Sequence, residues 1–270
     1  MQAVKQLGDV NWTDEDIKDS IPEFLELYSQ KPIDDNQGGM KSPHMLATWF
    51  LLKKINPKNV IESGIWKGQG TWLIEKTLPE ANVFSLDINL SRREYTSDRV
   101  QYFERDFTEV DWSVISDKAN TVLFFDDHQN ALNRIKKGSE LGFRHFIFED
   151  NYPAMQGDCY SLKKAFQHAG FDPDPGKRSI KQWIKSFTKP SSGGRVSPNS
   201  RDDAYLKDAL KVYYEFPPVF VKDTTRWGDA WNEEHYPTPS PLFTNVDSDH
   251  LKLFYEEAKF YTWICYAAVK

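Results

Sequence analysis

Short apolar runs alternate with helical patterns through the middle of the chain. The apolar runs, read as strands, cover residues 59–62, 83–86, 100–103, 121–125 and 145–148. Apolar residues recur at helical spacing between some of them, in residues 70–77, 108–115 and 129–141. Because short buried strands separated by helices form right-handed βαβ units, the pattern predicts a parallel sheet covered on both faces.

The flanking regions complete a single α/β domain. Helices are predicted at residues 14–29, 44–54, 161–168, 204–213 and 250–258, with Ser42 as an N-cap and Pro43 at the first helical position. An aromatic and β-branched run at 260–268 predicts an antiparallel strand. We expect a doubly wound, mostly parallel, seven-stranded sheet. Residues 1–40 would form a helical cap, and 41–270 an α/β domain with insertions near 171–201 and 224–245.

Composition narrows the class of protein. The 270 residues are 39% hydrophobic and 14% aromatic, which is typical of a folded globule. A net charge of -6 argues against a nucleic-acid partner, and no run of 18 apolar residues predicts a membrane span. We expect a cytoplasmic protein that has no membrane partner and is free to form a homo-oligomer. Cys159 and Cys265 lack metal-ligand spacing and are expected to be reduced.

A glycine-rich loop follows the first strand of the alternating region. Glu62 ends the apolar run, and Gly64, Gly68 and Gly70 come directly after it. Glycines at such a turn let a ligand approach the backbone closely. Asp87 ends the next strand 25 residues after Glu62, about the separation at which such folds place a carboxylate on a ribose. The loop therefore predicts a site for a nucleoside-containing cofactor.

Two common phosphate-binding patterns do not match this loop. A P-loop needs a second glycine where Gln69 stands, and a dinucleotide fingerprint fails at Trp66 or at Leu73, depending on its starting glycine. A purely structural glycine turn, with Glu62 as a solvated strand end, remains an alternative.

The spacing Glu62-x-Gly64-x-x-x-Gly68-x-Gly70, with Asp87 after it, resembles the first motif of class I S-adenosylmethionine-dependent methyltransferases. The resemblance implies S-adenosyl-L-methionine as cofactor, its amino acid portion beside the loop and its ribose on Asp87. The implied cofactor-binding residues are Glu62, Gly64, Trp66, Gly68, Gly70, Asp87 and Asp106, the last at the adenine. The resemblance covers residues 42–153 and leaves the methyl acceptor open.

Acidic residues follow two successive strands. Asp126-Asp127-His128 comes after the fourth strand and Glu149-Asp150 after the fifth. The ends of adjacent parallel strands lie about 5 Å apart, so these carboxylates are expected to converge on one hard cation. Mg²⁺ is preferred over Zn²⁺, and Mn²⁺ or Ca²⁺ would also fit.

These strand ends resemble those of metal-dependent small-molecule O-methyltransferases. The catechol type has an Asp-His pair followed by Asp-Asn, whereas the macrocin O-methyltransferase and cephalosporin-hydroxylase-like relatives have one acid followed by paired acids. The resemblance implies Asp126, Glu149 and Asp150 as metal ligands, with Asp127 an alternative to Asp126. Asn151 fits the catechol version of the second site.

The implied reaction is methyl transfer to a hydroxyl of a small molecule, with Asp126 and His128 as catalytic residues. A cation lowers the pKa of the hydroxyl and orients its oxygen, while His128 or Lys67 would accept the proton. Three alternatives stay open at the acidic ends: a helix cap formed by Asp126 or Asp127, strand ends without a role, and a catalytic carboxylate without metal. For the whole chain, a non-catalytic cofactor-binding module and a nicotinamide-dependent oxidoreductase stay open.

Other segments have open interpretations. The basic and aromatic residues 177–185 would contact an anionic substrate or nucleic acid, or form a solvated insertion. Trp227, Trp231 and Tyr236 would form a lid or stacking wall, or pack onto the body. His44 is interpreted as a structural or surface residue. The N-terminal forty residues and both insertions are expected to cover the cofactor edge.

Overall fold

A computed structural model describes residues 4–173 and 195–270 of the chain. Within them the strands join into one sheet in the order β1-β7-β8-β6-β5-β2-β3-β4. The strands are β1 Gln6–Leu7, β2 Asn59–Ser63, β3 Asn82–Leu86, β4 Val100–Phe103, β5 Thr121–Phe125, β6 His145–Phe148, β7 Leu210–Glu215 and β8 Cys265–Val269. The predicted α/β fold with a doubly wound, mostly parallel sheet is confirmed.

The strand order reverses between β2 and β5, which are neighbours although β3 and β4 separate them in sequence. Strands β4, β3, β2, β5 and β6 pair in parallel, whereas β8 is antiparallel to β6 and β7. Ligand crevices in open α/β sheets form at such a reversal, outside the carboxyl ends of the strands. The sheet has eight strands rather than the predicted seven, since the two residues of β1 pair with the edge strand β7.

Helices cover both faces of the sheet. One face carries α1 Asp14–Tyr28, α2 Ser42–Ile55, α3 Gln69–Thr77 and α7 Lys252–Glu257; the other carries α4 Ala131–Glu140, α5 Leu162–Phe166 and α6 Ser200–Ala209. Alternate strand residues enter opposite cores: Val60 and Val122 pack with α1 to α3, and Ile61 and Leu123 with α4 to α6. The strands are buried on both sides, as the continuous apolar runs predict.

Three predicted elements differ from those found. Residues 108–115 form two 3₁₀ turns, Phe107–Glu109 and Trp112–Val114, because the Trp112 ring stacks on Phe107 and donates its indole N–H to the Phe107 carbonyl. Residues 210–213 belong to β7, where β-branched and aromatic side chains pair with β8. Helix α2 has Lys41 as its N-cap, and the Ser42 amide donates to the Glu257 carboxylate.

The loop that precedes α2 lies against the glycine loop. The Trp66 indole donates to the Gln37 carbonyl over 3.1 Å, and the Lys67 ammonium donates to the Asp35 carbonyl over 2.8 Å. No helix in residues 4–173 or 195–270 is long and apolar enough to cross a membrane. The basic segment 177–185 lies outside the described residues, as does most of the predicted insertion at 171–201.

Candidate functional site

A cleft opens where the strand order reverses, at the carboxyl ends of β2, β3 and β5. Its cavity volume is about 210 Å³. The residues lining it are Gly38, Gly39, Ser63, Gly64, Trp66, Asp87, Ile88, Arg105, Asp106, Asp126, Asp127, His128 and Gln129. Five of the predicted cofactor and metal residues therefore share one wall, together with His128 and with glycines of the N-terminal loop, which is expected to cover this edge.

The Asp87 carboxylate holds the glycine loop in place. Its Oδ2 accepts hydrogen bonds from the backbone amides of Ile65 at 3.0 Å and Trp66 at 3.2 Å, and its Oδ1 accepts one from Asn89. The loop turns at Gly64, which has φ +99° and donates its amide to the Leu86 carbonyl over 2.9 Å. Asp87 thus faces the loop and also lines the cleft, so the position predicted for ribose recognition lies at the cofactor edge.

Glu62 lies beneath the glycine loop rather than on the cleft wall. Its Oε2 accepts hydrogen bonds from Thr71 and Ser85, both at 2.6 Å, and the residue is fully buried. Its Oε1 is buried without a hydrogen-bond donor in the described residues, and it lies where a side chain on Gly70 would otherwise project. Burial raises the pKa of Glu62 to about 7. The alternative of a solvated strand end is therefore wrong, and Gly68 and Gly70, like Glu62, do not line the cleft.

Arg134 of α4 determines which acid after β5 faces the next strand. Its guanidinium pairs with both carboxylate oxygens of Asp106, at 3.0 and 2.5 Å, and with Asp127 at 2.7 Å. Asp127 Oδ2 also accepts a 2.7 Å hydrogen bond from Ser63. The side chain of Asp127 is therefore committed to Arg134. Asp126 is the aspartate that lies close to His128 and Asp150, although both aspartates line the cleft.

Asp126, His128 and Asp150 form a compact group at the ends of β5 and β6. A potential ligand atom from each lies within 4.8 Å of the others. Of the two oxygens of the buried Asp150 carboxylate, Oδ2 lies 2.9 Å from His128 Nδ1, and Oδ1 has no hydrogen-bond donor in the described residues. Burial, together with the charges of Glu149 and Asp150, raises the pKa of Asp126 well above its ordinary value. Carboxylates brought together in this way need a cation or protons to neutralise them.

Glu149 is separated from that group by a buried histidine. His44 Nδ1 lies 2.5 Å from Glu149 Oε1, and His44 Nε2 contacts the Phe260 carbonyl. Although burial opposes ionisation, His44 lowers the pKa of Glu149 to about 2. The sequence predicts Glu149 as a metal ligand, but the structure places its carboxylate against His44, and His128 is the third member of the group. No local pattern marks His44, which lies 105 residues from its partner.

His128 bridges two carboxylates at the entrance to the group. Its Nδ1 lies 2.9 Å from Asp150 Oδ2 and 3.0 Å from Asp158 Oδ1, and its backbone has φ +53°. Hydrogen bonds to Asp150 and Asp158 raise the pKa of His128 to about 12. In this arrangement the imidazole carries a proton, so its predicted role as proton acceptor requires that Asp150 be neutralised by another group.

Several alternatives from the sequence do not match the geometry. Asn130, not Asp126 or Asp127, is the N-cap of α4. The Asn151 amide donates to the Tyr213 hydroxyl and the Trp263 carbonyl, while its Oδ1 accepts from the Lys163 amide, so it is not available to a metal. Lys67 is held by Asp35 and by Glu94 at 2.7 Å, which removes it as a candidate base.

The acid group suits a hard divalent cation. Its donors are carboxylate oxygens and one imidazole, the ligands that Mg²⁺ and Mn²⁺ accept, and no cysteine belongs to this trio. The buried Asp150 Oδ1, which has no hydrogen-bond donor in the described residues, is the observation that supports this fit. Asp126 and Asp150 would hold the ion, with His128 beside it.

The cleft suits a nucleoside. Ile88 lines it with 81% of its surface exposed, which leaves an apolar side chain free to cover a base, and Asp87 and Asp106 supply carboxylates nearby. Asp106 keeps its carboxylate partly exposed while paired with Arg134. Asp87, Ile88 and Asp106 would hold the sugar and the base.

No protein-family model and no curated protein matches the chain. Among solved structures, the apo form of CmcI-N160 is 15% identical with a TM-score of 0.39, covering 67% of this chain and 68% of that one. The O-methyltransferase TomG from Streptomyces achromogenes, involved in tomaymycin synthesis and solved with SAM, is 13% identical with a TM-score of 0.38, covering 70% and 81%. SAH-bound methyltransferase PaMTH1 from Podospora anserina is 14% identical with a TM-score of 0.36, covering 53% and 73%. Likeness this low carries no information on the activity of this chain.

Proposed function

We propose that this protein transfers a methyl group from S-adenosyl-L-methionine to a hydroxyl of a small molecule with the help of a divalent cation. One observation carries the proposal. The cleft at the strand reversal is continuous with the acid group, because Asp126 and His128 belong to both. A donor in the cleft and an acceptor at the acid group would therefore be neighbours.

Each part of the site has a task in such a reaction. Asp87 and the backbone of the glycine loop would hold the cofactor, and the buried Arg134 keeps Asp106 and Asp127 in fixed positions on the wall. A cation, when bound, would lower the pKa of the acceptor hydroxyl and favour its oxygen as a nucleophile. His128 stands at the entrance, within reach of a proton released there. In-line displacement at a sulfonium needs alignment above all, which a preformed wall supplies.

Two other functions are compatible with the fold. A non-catalytic cofactor-binding module would have no use for a buried carboxylate such as Asp150, whose Oδ1 has no hydrogen-bond donor in the described residues. A nicotinamide-dependent oxidoreductase is disfavoured because the glycine loop lacks the dinucleotide spacing. Neither alternative explains why the acid group borders the cleft.

The test is to replace the two aspartates one at a time. Asp126→Asn and Asp150→Asn should each reduce Mg²⁺-dependent methyl transfer, assayed with labelled cofactor on a panel of hydroxyl compounds, by at least about 100-fold. The affinity for S-adenosylhomocysteine, measured by calorimetry, should stay within a few-fold, because neither residue is expected to hold the nucleoside. Binding of Mn²⁺, followed by its electron paramagnetic resonance signal, should weaken in both variants.

Asp117→Asn is the matched control. Asp117 precedes β5 at the opposite end of the strand and pairs with Lys58 on the surface, so its loss should leave all three measurements unchanged. Activity that survives EDTA unchanged would refute the role of the metal. Failure of S-adenosylhomocysteine to bind would refute methyl transfer itself.

A further inference from the structure

Residues 223–231 form a small hairpin, called here the Arg226 hairpin. The Thr225 amide donates to the Asp229 carbonyl and the Trp231 amide to the Asp223 carbonyl, both over 2.8 Å. The turn contains Gly228 with φ +87°. Its own backbone hydrogen bonds therefore give this loop a defined shape.

The hairpin is anchored beside the acid group. The Trp231 ring stacks on Trp263 with centroids 5.4 Å apart and planes 9° apart, and Gln156 donates to the Asp229 carboxylate over 2.6 Å. Trp263 comes just before β8 and Gln156 comes after β6. Since these strands are antiparallel, both anchors lie at the edge of the sheet where Asp150 ends β6. Of the two alternatives for this segment, packing onto the body is found for Trp231 and Tyr236.

Arg226 presents a guanidinium that lacks a carboxylate partner. Its Nη1 donates to the hydroxyl of the buried Tyr152 over 2.9 Å, and no carboxylate of the described residues lies within 4.0 Å of it. By contrast, Arg134 holds two carboxylates. A guanidinium has five N–H donors in a planar fork, so Arg226 retains donors for an oxyanion. The acids Glu149 and Asp150 interact with it at longer range.

Trp227 places an exposed indole next to that guanidinium. It is 52% exposed, its ring lies 6.3 Å from that of Tyr152, and the Arg226 guanidinium lies 5.5 Å from its centroid. An indole face held at the rim of a site is well suited to stack on a planar ring. Trp231 and Tyr236 are packed onto the body of the protein, whereas the Trp227 indole lies on the surface.

We propose that Arg226 and Trp227 bind the methyl acceptor, and that the acceptor is a planar ring compound bearing a carboxylate or phosphate. The inference rests on the proposed function. Along the edge of the sheet the order is Asp87 after β3, Gly64 after β2, Asp126 after β5, Asp150 after β6 and then the Arg226 hairpin. The cofactor cleft and the hairpin thus lie on opposite sides of the acid group, as a donor and an acceptor must if a methyl group passes between them.

Charge explains why Arg226 is needed for such an acceptor. The acid group holds two carboxylates and lies beside Glu149 and Asp158, so without its cation it would repel an anionic ring. A guanidinium fork binds carboxylate and phosphate oxygens in two parallel hydrogen bonds. Arg226 would therefore select anionic acceptors and fix the end of the ring that is remote from the reacting hydroxyl.

The experiment measures binding of three probes by calorimetry in the presence of Mg²⁺: benzoate, phenyl phosphate and benzamide. Both oxyanions should bind the wild-type protein more tightly than benzamide does, and the tighter of the two identifies the preferred group. Arg226→Gln should weaken the binding of both oxyanions by about 10- to 100-fold and leave the affinity for benzamide unchanged. Trp227→Ala should weaken all three probes to a similar extent, because stacking does not depend on charge.

Arg201→Gln, which removes the same charge from the exposed start of α6, should change none of the affinities. Oxyanion binding that survives Arg226→Gln would show that the probes bind the metal instead, and would overturn the proposal, as would equal affinity of wild type for benzoate and benzamide. If Arg226→Gln does not fold, Arg226→Lys, which keeps the charge but not the fork, should give an intermediate loss. S-adenosylhomocysteine is titrated into the same samples: its failure to bind would refute methyl transfer while the probe comparison still reports on Arg226.

Discussion

At the scale of single residues, the four acids after β5 and β6 differ in the side chains that pair with them. Asp127 has Arg134 and Glu149 has His44, so both are paired within the protein. Among the described residues, Asp126 and Asp150 have only the half-exposed His128 as a cationic neighbour. Because carboxylates held close together without matching positive charge repel each other, Asp126 and Asp150 are the two residues at which an external cation would be most stabilising.

Glu62 makes stability depend on pH. Its pKa rises from an ordinary value of 4.5 to about 7 because the carboxyl group is buried. Between about pH 4.5 and 7 the Glu62 carboxyl group is therefore protonated in the folded state and ionised in the unfolded state. The stability that this protonation contributes is fully present below pH 4.5 and is lost as the pH rises to about 7. Glu62→Gln should raise the free energy of unfolding by up to about 3 kcal/mol at pH 8 and change it little at pH 4, as measured by urea denaturation.

Other acids titrate over the same pH range. The quantity to compare is therefore the difference in the free energy of unfolding between wild type and Glu62→Gln at each pH. Glu80→Gln, at an exposed residue shortly before β3, serves as the control and should give a difference that is flat with pH. A flat difference for Glu62→Gln as well would show that its carboxyl group is not perturbed by burial.

At the scale of elements, the glycine loop is built by close backbone contact. A side chain on Gly64 would place its Cβ 2.0 Å from the Asp126 carbonyl oxygen, and φ +99° is itself unfavourable for any other residue. The Asp126 amide in turn donates to the Ser63 carbonyl over 2.8 Å. The loop after β2 and the acid after β5 are thus packed directly on each other, so a change in one moves the other.

Gly64→Ala should therefore cost more than backbone strain alone. We expect a loss of more than about 2 kcal/mol in the free energy of unfolding, together with weaker binding of both S-adenosylhomocysteine and Mn²⁺. Gly228→Ala separates the two effects, since its φ of +87° is similar but nothing lies within 4 Å of the added carbon. The free energy of unfolding of the Gly228→Ala variant should fall by only about 1 kcal/mol. Equal losses in the two variants would contradict direct packing of the loop on Asp126.

At the scale of the whole molecule, one edge of the sheet carries every part of the proposed reaction. The cofactor cleft lies at β2 and β3, the acid group at β5 and β6, and the Arg226 hairpin beside β6 and β8. The N-terminal loop closes the cleft through Gly38 and Gly39. Helices on both faces leave this edge as the place where strand ends, loops and solvent meet.

Binding of the cofactor product should stabilise the whole fold. S-adenosylhomocysteine at about 100 times its dissociation constant should add about 2.7 kcal/mol, which for a chain of this size raises Tm by about 5 to 10 °C. NADH at the same concentration should leave Tm unchanged, since the loop lacks the dinucleotide spacing. A larger shift with NADH than with S-adenosylhomocysteine would favour the oxidoreductase alternative.

The sequence alone is enough to predict the parallel sheet, the glycine loop and the two acidic strand ends. These features are local: strand period, helix spacing and the few residues after each strand are read within about ten positions. The two-residue strand β1 and the change from helix to strand at Leu210 could not be read in this way, because pairing with distant β7 and β8 overrides local preference.

Which acids share a site depends on tertiary contacts, and these are visible only in the folded structure. Arg134 pairs with Asp127, and His44 pairs with Glu149, through contacts between residues on different elements. The exposed face formed by Arg226 and Trp227 likewise depends on how one hairpin packs against Trp263. Ion pairs form between residues that are close in space, and the pattern of residues along the chain does not give the distance between residues on different elements.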